Sequence, residues 1–386
     1  MGESIMALKR SFALALAGLA QAAFLMTISG TPASAAELTY GSWPPAGSIQ
    51  NRVAMPRIFK EIEEETKGAI KWKLVAGGQL GGPKESFSAT SDNISQGALG
   101  IIISNPTASP SLNTIYSYLV FGGASSIQAT PAALETLTLN CPSCWDEFRK
   151  QNLVPLAGWT TAQYYLACTQ PFTKVEDLKG KRIRGQGGPA QLWETAGAIP
   201  VSATLPEALT LLQRGGLDCM HTTYTWLQTF GYGDFAKNVL DVPMSLSGPA
   251  VGLMLNRDTW NKFTTEQKTI HLKKAAFLSA NIAVEEFTTD NQANLEKVIK
   301  EKGVKVIPVE RAGFDALVAK FEGLQRASII ESSKKLGVKE PEKLLDAYKA
   351  NLEKWKGLTA NVGTDMNKLS DLIWQHIYSK VDVNKI

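Results

Sequence analysis

Residues 179–197 read KGKRIRGQGGPAQLWETAG. Residues 181–184 form a short β-compatible run that ends in Arg184; Gly185, Gly187 and Gly188 follow as a glycine-rich turn, and Pro189 opens a helical pattern. A strand that delivers a fixed cation into such a turn, ahead of the positive end of a helix, is a backbone recipe for holding an anion. Arg184 is the first candidate, because a guanidinium fork grips a carboxylate bidentately while helix amides add to the same field. The alternative is an arginine that pairs with a structural Asp or Glu, or ends its strand in solvent. A dinucleotide fingerprint fails on spacing, since the third glycine is missing and no acidic residue follows at the right distance.

Outward from this stretch, strand and helix patterns alternate. Strand patterns fall at 38–42, 70–76, 98–103, 153–159, 164–169, 181–184, 200–201, 217–221, 250–256 and 304–309. Helical patterns fall at 48–67, 83–97, 126–150 with a break near Cys141-Pro142, 189–197, 206–215, and from 312 onward. This alternation predicts an α/β protein with mostly parallel sheets flanked by helices. Residues 98–103 are uninterrupted apolar, the type buried in parallel sheets, and Ser104-Asn105-Pro106 at their carboxyl end faces the crevice where α/β proteins bind ligands. From Glu266 to Lys302 no proline or glycine interrupts a helix opened by the cap-like Thr264-Thr265-Glu266-Gln267. At 1.5 Å per residue it would run roughly 55 Å and outreach one small domain, so it is expected to lie across two.

The N-terminus reads as a targeting segment. Lys9 and Arg10 precede an apolar run at 12–28, and Ala33-Ser34-Ala35 offers a small-x-small cleavage site, so 1–35 is expected to be a secretory signal peptide rather than a retained anchor. Removing it takes Lys9, Arg10 and Glu3, so the net charge of +4 falls by one to +3. That charge, without any basic block, excludes nucleic acid as the expected partner, and no later segment reaches membrane-spanning length. Cys141, Cys144, Cys168 and Cys219 form an even set that an oxidising compartment would allow to pair. Cys141-Pro-Ser-Cys144 could bridge locally; a thioredoxin-like redox role lacks its βαβ setting. His221, His271 and His376 are scattered, so no metal site is expected, and no cofactor motif is present. Gly77-Gly78-Gln79-Leu80-Gly81-Gly82 is a turn without the Lys-Ser/Thr of a phosphate loop.

No catalytic set emerges. There is no GxSxG elbow, and Asp218 with His221 lacks a nucleophile at usable spacing. Trp43, Trp159, Tyr164, Tyr165, Tyr224 and Trp226 lie at or near strand ends, where they could wall an organic ligand or serve as core.

Five segments, in order, resemble one family. GGQLG at 77–81 follows Thr66-Lys67-Gly68; DLKGKRIR stands at 177–184 and GAIPV at 197–201; Glu207, Ala208-Leu209, LQRG at 212–215 and Asp218 follow; and NRDTW stands at 256–260. Together they resemble the substrate-binding proteins of tripartite ATP-independent periplasmic (TRAP) transporters, the DctP-like group. The resemblance implies a two-lobed periplasmic-binding-protein-like fold hinged by crossing strands and a long helix. It places lobe I at 37–157 plus 248–285 and lobe II at 158–247 plus 286–386. It implies a periplasmic protein, not an enzyme, that captures a small carboxylate at Arg184 and hands it to membrane-embedded TRAP subunits. On that reading Asn105, Gln163, Thr222 and Thr223 offer hydrogen bonds, and Trp43, Tyr164, Tyr224 and Trp226 form the apolar wall. The competing readings are a secreted hydrolase-like enzyme using Asp218 and His221 in the same cleft, and a sensory binding protein.

Three departures from the family pattern bear on the ligand. Ala162-Gln163-Tyr164-Tyr165 carries no second arginine, Thr222 stands where many members have asparagine, and no acidic residue lies near Gly100. They point away from sialic acid or a C4-dicarboxylate, toward a larger or less polar monocarboxylate.

Overall fold

The computed structural model describes residues 36–386; the targeting segment expected at 1–35 lies outside the described residues. In chain order the strands are β1 (Ala36–Gly41), β2 (Ile70–Val75), β3 (Gly97–Gly100), β4 (Leu153–Trp159), β5 (Tyr165–Cys168), β6 (Arg182–Arg184), β7 (Ile199–Val201), β8 (Cys219–Thr222), β9 (Asn238–Leu240), β10 (Ala250–Asn256) and β11 (Lys305–Ile307). They build two sheets, ordered β2-β1-β3-β10-β4 and β11-β9-β5-β8-β6-β7. Each sheet is the floor of one lobe, and helices cover it.

Composition explains the strand positions. Every residue of β4 (LVPLAGW) and β10 (AVGLMLN) is buried, as expected for strands covered on both faces. Edge strand β2 instead alternates, with Ile70 and Trp72 turned inward and Lys71 and Lys73 outward. Five of the nine strand pairings are parallel, the majority that strand and helix alternation implies. The sheets are nonetheless mixed, because β10 runs antiparallel to both β3 and β4, and β5 runs antiparallel to both β8 and β9. Both chains that feed these reversed strands arrive from the other lobe, so they enter from the opposite end.

Two extended segments cross between the lobes side by side. Thr161 N donates to Ser247 O (3.0 Å), Tyr164 N to Ser245 O (2.6 Å), and Met244 N to Tyr164 O (2.9 Å). The third crossing is the long helix. It starts in a capping box in which Gln267 N donates to Thr264 Oγ1 and Thr264 N to Gln267 Oε1, and it ends at Gly303, whose φ of 67° stops it in the left-handed region. Its first part, Thr265–Asn281, packs on β4 of the first lobe; its last, Asn291–Lys302, packs on the helix Tyr224–Thr229 of the second. Between them, Ile282–Asp290 is π-helical, a widened winding that inserts extra backbone without breaking the run. None of the helices among the described residues is long and apolar enough to cross a membrane.

Several elements differ from the expectation. The helix expected at 83–97 is confined to Ser86–Ser91, and the apolar run 98–103 gives only β3 before a 3-10 turn at Ile102–Ser104. Helices Pro110–Ser117 and Tyr224–Thr229 and strand β9 carry no clear periodicity and are formed by tertiary packing. The C-terminal helices Pro341–Leu358 and Met366–His376 pack on helices of the first lobe, where Trp355 Nε1 and Lys354 Nζ converge on Glu135 at 2.7 Å. The four cysteines pair as Cys141–Cys144, at the start of helix Pro142–Lys150, and Cys168–Cys219, directly opposed across β5 and β8.

Candidate functional site

The glycine-rich turn after β6 presses the second lobe against the first. A Cβ on Gly188 would stand 2.3 Å from the Ser117 carbonyl oxygen, and one on Gly187, at φ 58°, 2.4 Å from Ile103 Cδ1. The glycines therefore serve close approach between lobes. Anion binding falls on the side chain that β6 delivers beside them.

That side chain, Arg184, is buried at 7% exposure. Its Nε donates to Ala203 O (2.9 Å) and its Nη2 to Gln186 Oε1 (3.1 Å), both neutral acceptors. No carboxylate among the described residues forms an ion pair with it. Its neighbour Arg182 is different: the Asp218 carboxylate accepts from Arg182 N, Nε and Nη2 at 2.7, 3.0 and 2.7 Å. This pairing holds the Asp218 carboxyl below the usual range. Of two arginines on one strand, the outward one has a structural partner and the inward one lacks an anion.

Arg184 lines an inner cavity between the lobes, with about 60 Å³ open to the centres of water molecules, several times the ~10–15 Å³ that one water needs. Aromatic rings dominate its wall. Trp43 stacks on Phe230 (6.0 Å), Phe230 meets Trp226 (6.3 Å), and Trp226 meets both Tyr164 (5.8 Å) and Phe287 (6.2 Å). Trp159 lies so close over Gly252 that a Cβ there would fall 2.2 Å from its ring, so this glycine makes room for the indole. Tyr116, Ser247 and Thr161 close the floor, and burial raises the Tyr116 phenol far above its ordinary range. The cavity opens into an outer cleft of about 700 Å³ shared by Trp43, Pro83, Thr204, Thr229 and Phe230. At that mouth Lys84, after β2, bonds Glu207, after β7, at 2.6 Å, so one ion pair joins the two lobes.

Four of the expected site residues meet here: Arg184, Tyr164, Trp43 and Trp226. The other five do not line the cavity. Asn105 Nδ2 donates to the Pro83 and Ile101 carbonyls, and Gln163 Nε2 to Ala124 O (2.6 Å), so both amides pin loops. Thr222 Oγ1 is turned to Thr223 O; Thr223 is fully buried beneath the wall; and Tyr224 stacks on Tyr165 at 4.1 Å. The strand β8 carries them just past the cavity instead of into it.

Several cavity residues were not expected, among them Tyr116, Thr161, Phe230, Ser247, Phe287 and the acidic Glu286. Glu286 lies on the π-helical stretch, 7% exposed, and its Oε2 is buried without a partner. Burial pushes its carboxyl up to about 8, with the Asp290 charge adding and the Gln50 amide opposing. The sequence signal was a charged residue inside the apolar run Ile282-Ala283-Val284-Glu285-Glu286-Phe287.

Asp218 and His221 do not pair with each other. His221 Nδ1 accepts from Trp193 Nε1 (3.1 Å), and burial, assisted by the Arg184 charge, holds the ring down to about 3, so it is a neutral packing group. Asp218 is engaged by Arg182 on the other side of the strand. The arrangement can desolvate and grip an anion bearing an apolar body.

The protein YiiZ of Salmonella typhimurium is 24% identical over 282 residues, covering 70% of this chain and 82% of its own. A marine metagenome TRAP solute-binding protein specific for aromatic acid ligands, solved with metahydroxyphenylacetate, shares the fold at a TM-score of 0.73 and 19% identity, covering 83% of this chain and 99% of its own. A TRAP solute-binding protein of Rhodoferax ferrireducens, solved with copurified benzoate, does so at 0.71 and 15%, with the same two coverages. Both solved proteins are named as TRAP solute-binding proteins. The model of bacterial extracellular solute-binding protein family 7, DctP, matches residues 41–331, and the chain belongs to that family.

Proposed function

We propose that the chain captures a ring-bearing monocarboxylate between its lobes and hands it to a TRAP-type membrane transporter in the periplasm, with residues 1–35 as its export signal. The observation that carries this reading is a buried arginine without a carboxylate of its own, inside an aromatic cavity. A desolvated cation is costly unless an anion joins it. A ligand carboxylate supplies that anion, and the single free guanidinium argues for one carboxylate rather than two. The rings of Trp43, Trp159, Tyr164 and Trp226 suit a flat apolar body. The aromatic acids named for two proteins of the same fold support the same chemistry. Closure would turn on segments 159–165 and 245–250 and on the π-helical stretch, near the lobe boundaries expected at 157/158, 247/248 and 285/286. Ligand contacts from both lobes favour the closed state over the open one.

Calorimetric titration with benzoate and related ring acids tests this. Arg184→Ala is expected to weaken binding by at least a hundredfold, the scale of a charge-assisted bidentate contact in a buried site. If the ligands found by a thermal-shift screen are neutral sugars or amines, and Arg184→Ala leaves their affinity intact, the carboxylate reading is wrong.

A further inference from the structure

We propose that Glu286 reads a hydroxyl group on the ligand, remote from the carboxylate that Arg184 holds, so that the preferred solute is a hydroxylated ring acid. This rests on the carboxylate reading of the cavity. Two polar atoms in its wall have no partner in the protein: the carboxyl Oε2 of Glu286 and the indole Nε1 of Trp43, both buried. Each lacks a hydrogen-bond partner within the protein, a cost that a suitable ligand group would relieve. The two belong to one wall, since Trp43 stacks on Phe230, Phe230 meets Trp226, and Trp226 meets Phe287, the residue after Glu286.

Arg184 stands elsewhere. It forms no ion pair with Glu286, and the charge acting on the Glu286 carboxyl is that of Asp290. An anion at Arg184 and a polar group at Glu286 are therefore two separate contacts with the ligand.

The orphaned oxygen also selects the group: a ligand hydroxyl can give its hydrogen to Glu286 Oε2, whereas an ether or a bare ring edge has none to give and leaves that oxygen unpartnered. A second carboxylate would meet an acid already raised by burial and by Asp290. At neutral pH the Glu286 carboxyl is protonated, so it can accept and donate without placing a charge beside the rings.

The test titrates wild type, Glu286→Leu, Glu286→Gln and Arg184→Ala with benzoate, 3-hydroxybenzoate, 4-hydroxybenzoate, the two methoxy counterparts, and phenol. At least one hydroxybenzoate is expected to bind wild type tenfold or more tighter than benzoate and than its own methoxy counterpart. Glu286→Leu is expected to erase that preference, lowering hydroxybenzoate affinity at least tenfold more than benzoate affinity; Glu286→Gln, which keeps the shape and a hydrogen-bonding amide, retains part of it and guards against misfolding of the leucine variant. A preference that survives Glu286→Leu, or its absence in wild type, overturns the assignment of Glu286, and leaves the carboxylate reading standing if Arg184→Ala abolishes benzoate binding. Phenol binding as tightly as the acids, or failure of all the acids at millimolar concentration, overturns both.

Discussion

His221 and His271 are buried and neutral in the fold, held down to about 3 and about 4, whereas Glu286 is held up to about 8. An unfolded histidine titrates near 6.5 and an unfolded glutamate near 4.5, so these groups pull stability in opposite directions. Between about pH 4.5 and 6.5 the unfolded chain carries two extra histidine protons against the one retained by folded Glu286, and stability rises with pH. Between 6.5 and 8 only Glu286 of these three groups differs, the folded state holds its extra proton, and its contribution lowers stability by about 1.4 kcal/mol per pH unit. Denaturant titrations across pH should therefore show a maximum near 6.5, and Glu286→Gln should flatten the decline above it; an unchanged decline would remove Glu286 as its cause. The same residues show what the sequence could carry. The place of Arg184 in the cavity wall was legible because a strand-terminal arginine before glycines has a local signature; strand-end aromatics were a weaker guide, since Trp43, Tyr164 and Trp226 line the cavity and Tyr224 does not. That Asn105 and Gln163 lie outside the lining was not legible, because their partners are backbone carbonyls of Pro83, Ile101 and Ala124, which no local pattern reveals. Glu286 was hidden in a helix interior whose winding changes without any proline or glycine.

At the level of elements, apolar runs and caps were readable and short packed pieces were not. β4 and β10 announce themselves by seven buried residues each, and the long helix by its capping box, but Tyr224–Thr229 forms because Asn291 Oδ1 accepts from Thr225 N at 3.0 Å, a contact across 66 residues. The strand directions were beyond local reading too, since β10 and β5 reverse only because the chain returns from the other lobe. The two disulfides stabilise their elements unequally. Cys168–Cys219 closes a loop of 51 residues between β5 and β8, whereas Cys141–Cys144 spans three. Loop-closure entropy assigns about 4 kcal/mol to the first and about 2 to the second. Replacing Cys168 and Cys219 together by alanine should lower the unfolding free energy about twice as much as replacing Cys141 and Cys144, as read from urea midpoints. Equal losses would mean that the unfolded-state constraint is not what these bonds supply.

For the whole molecule, an ion pair at the mouth, Lys84 to Glu207, spans the two lobes, both side chains about half exposed. Such a pair adds little to folding stability and is screened by salt, but it exists only when the lobes are together. It is therefore expected to act on ligand escape. Stopped-flow dissociation from Lys84→Ala should be several-fold faster than wild type at low ionic strength and no longer accelerated by added salt; identical rates at low salt would discount the latch. The larger constraint on opening comes from the helix that starts on one lobe and ends on the other without a break. Anchored at both ends, it would act as a leaf spring: parting of the lobes would require it to flex, and the part wound most loosely, Ile282–Asp290, is where flexure is expected. Glu286 rides on that part. Each opening of the cleft would then swing the carboxyl away from its solute, and each closure would return it, so that the residue which inspects the cargo also registers the curvature of the spring.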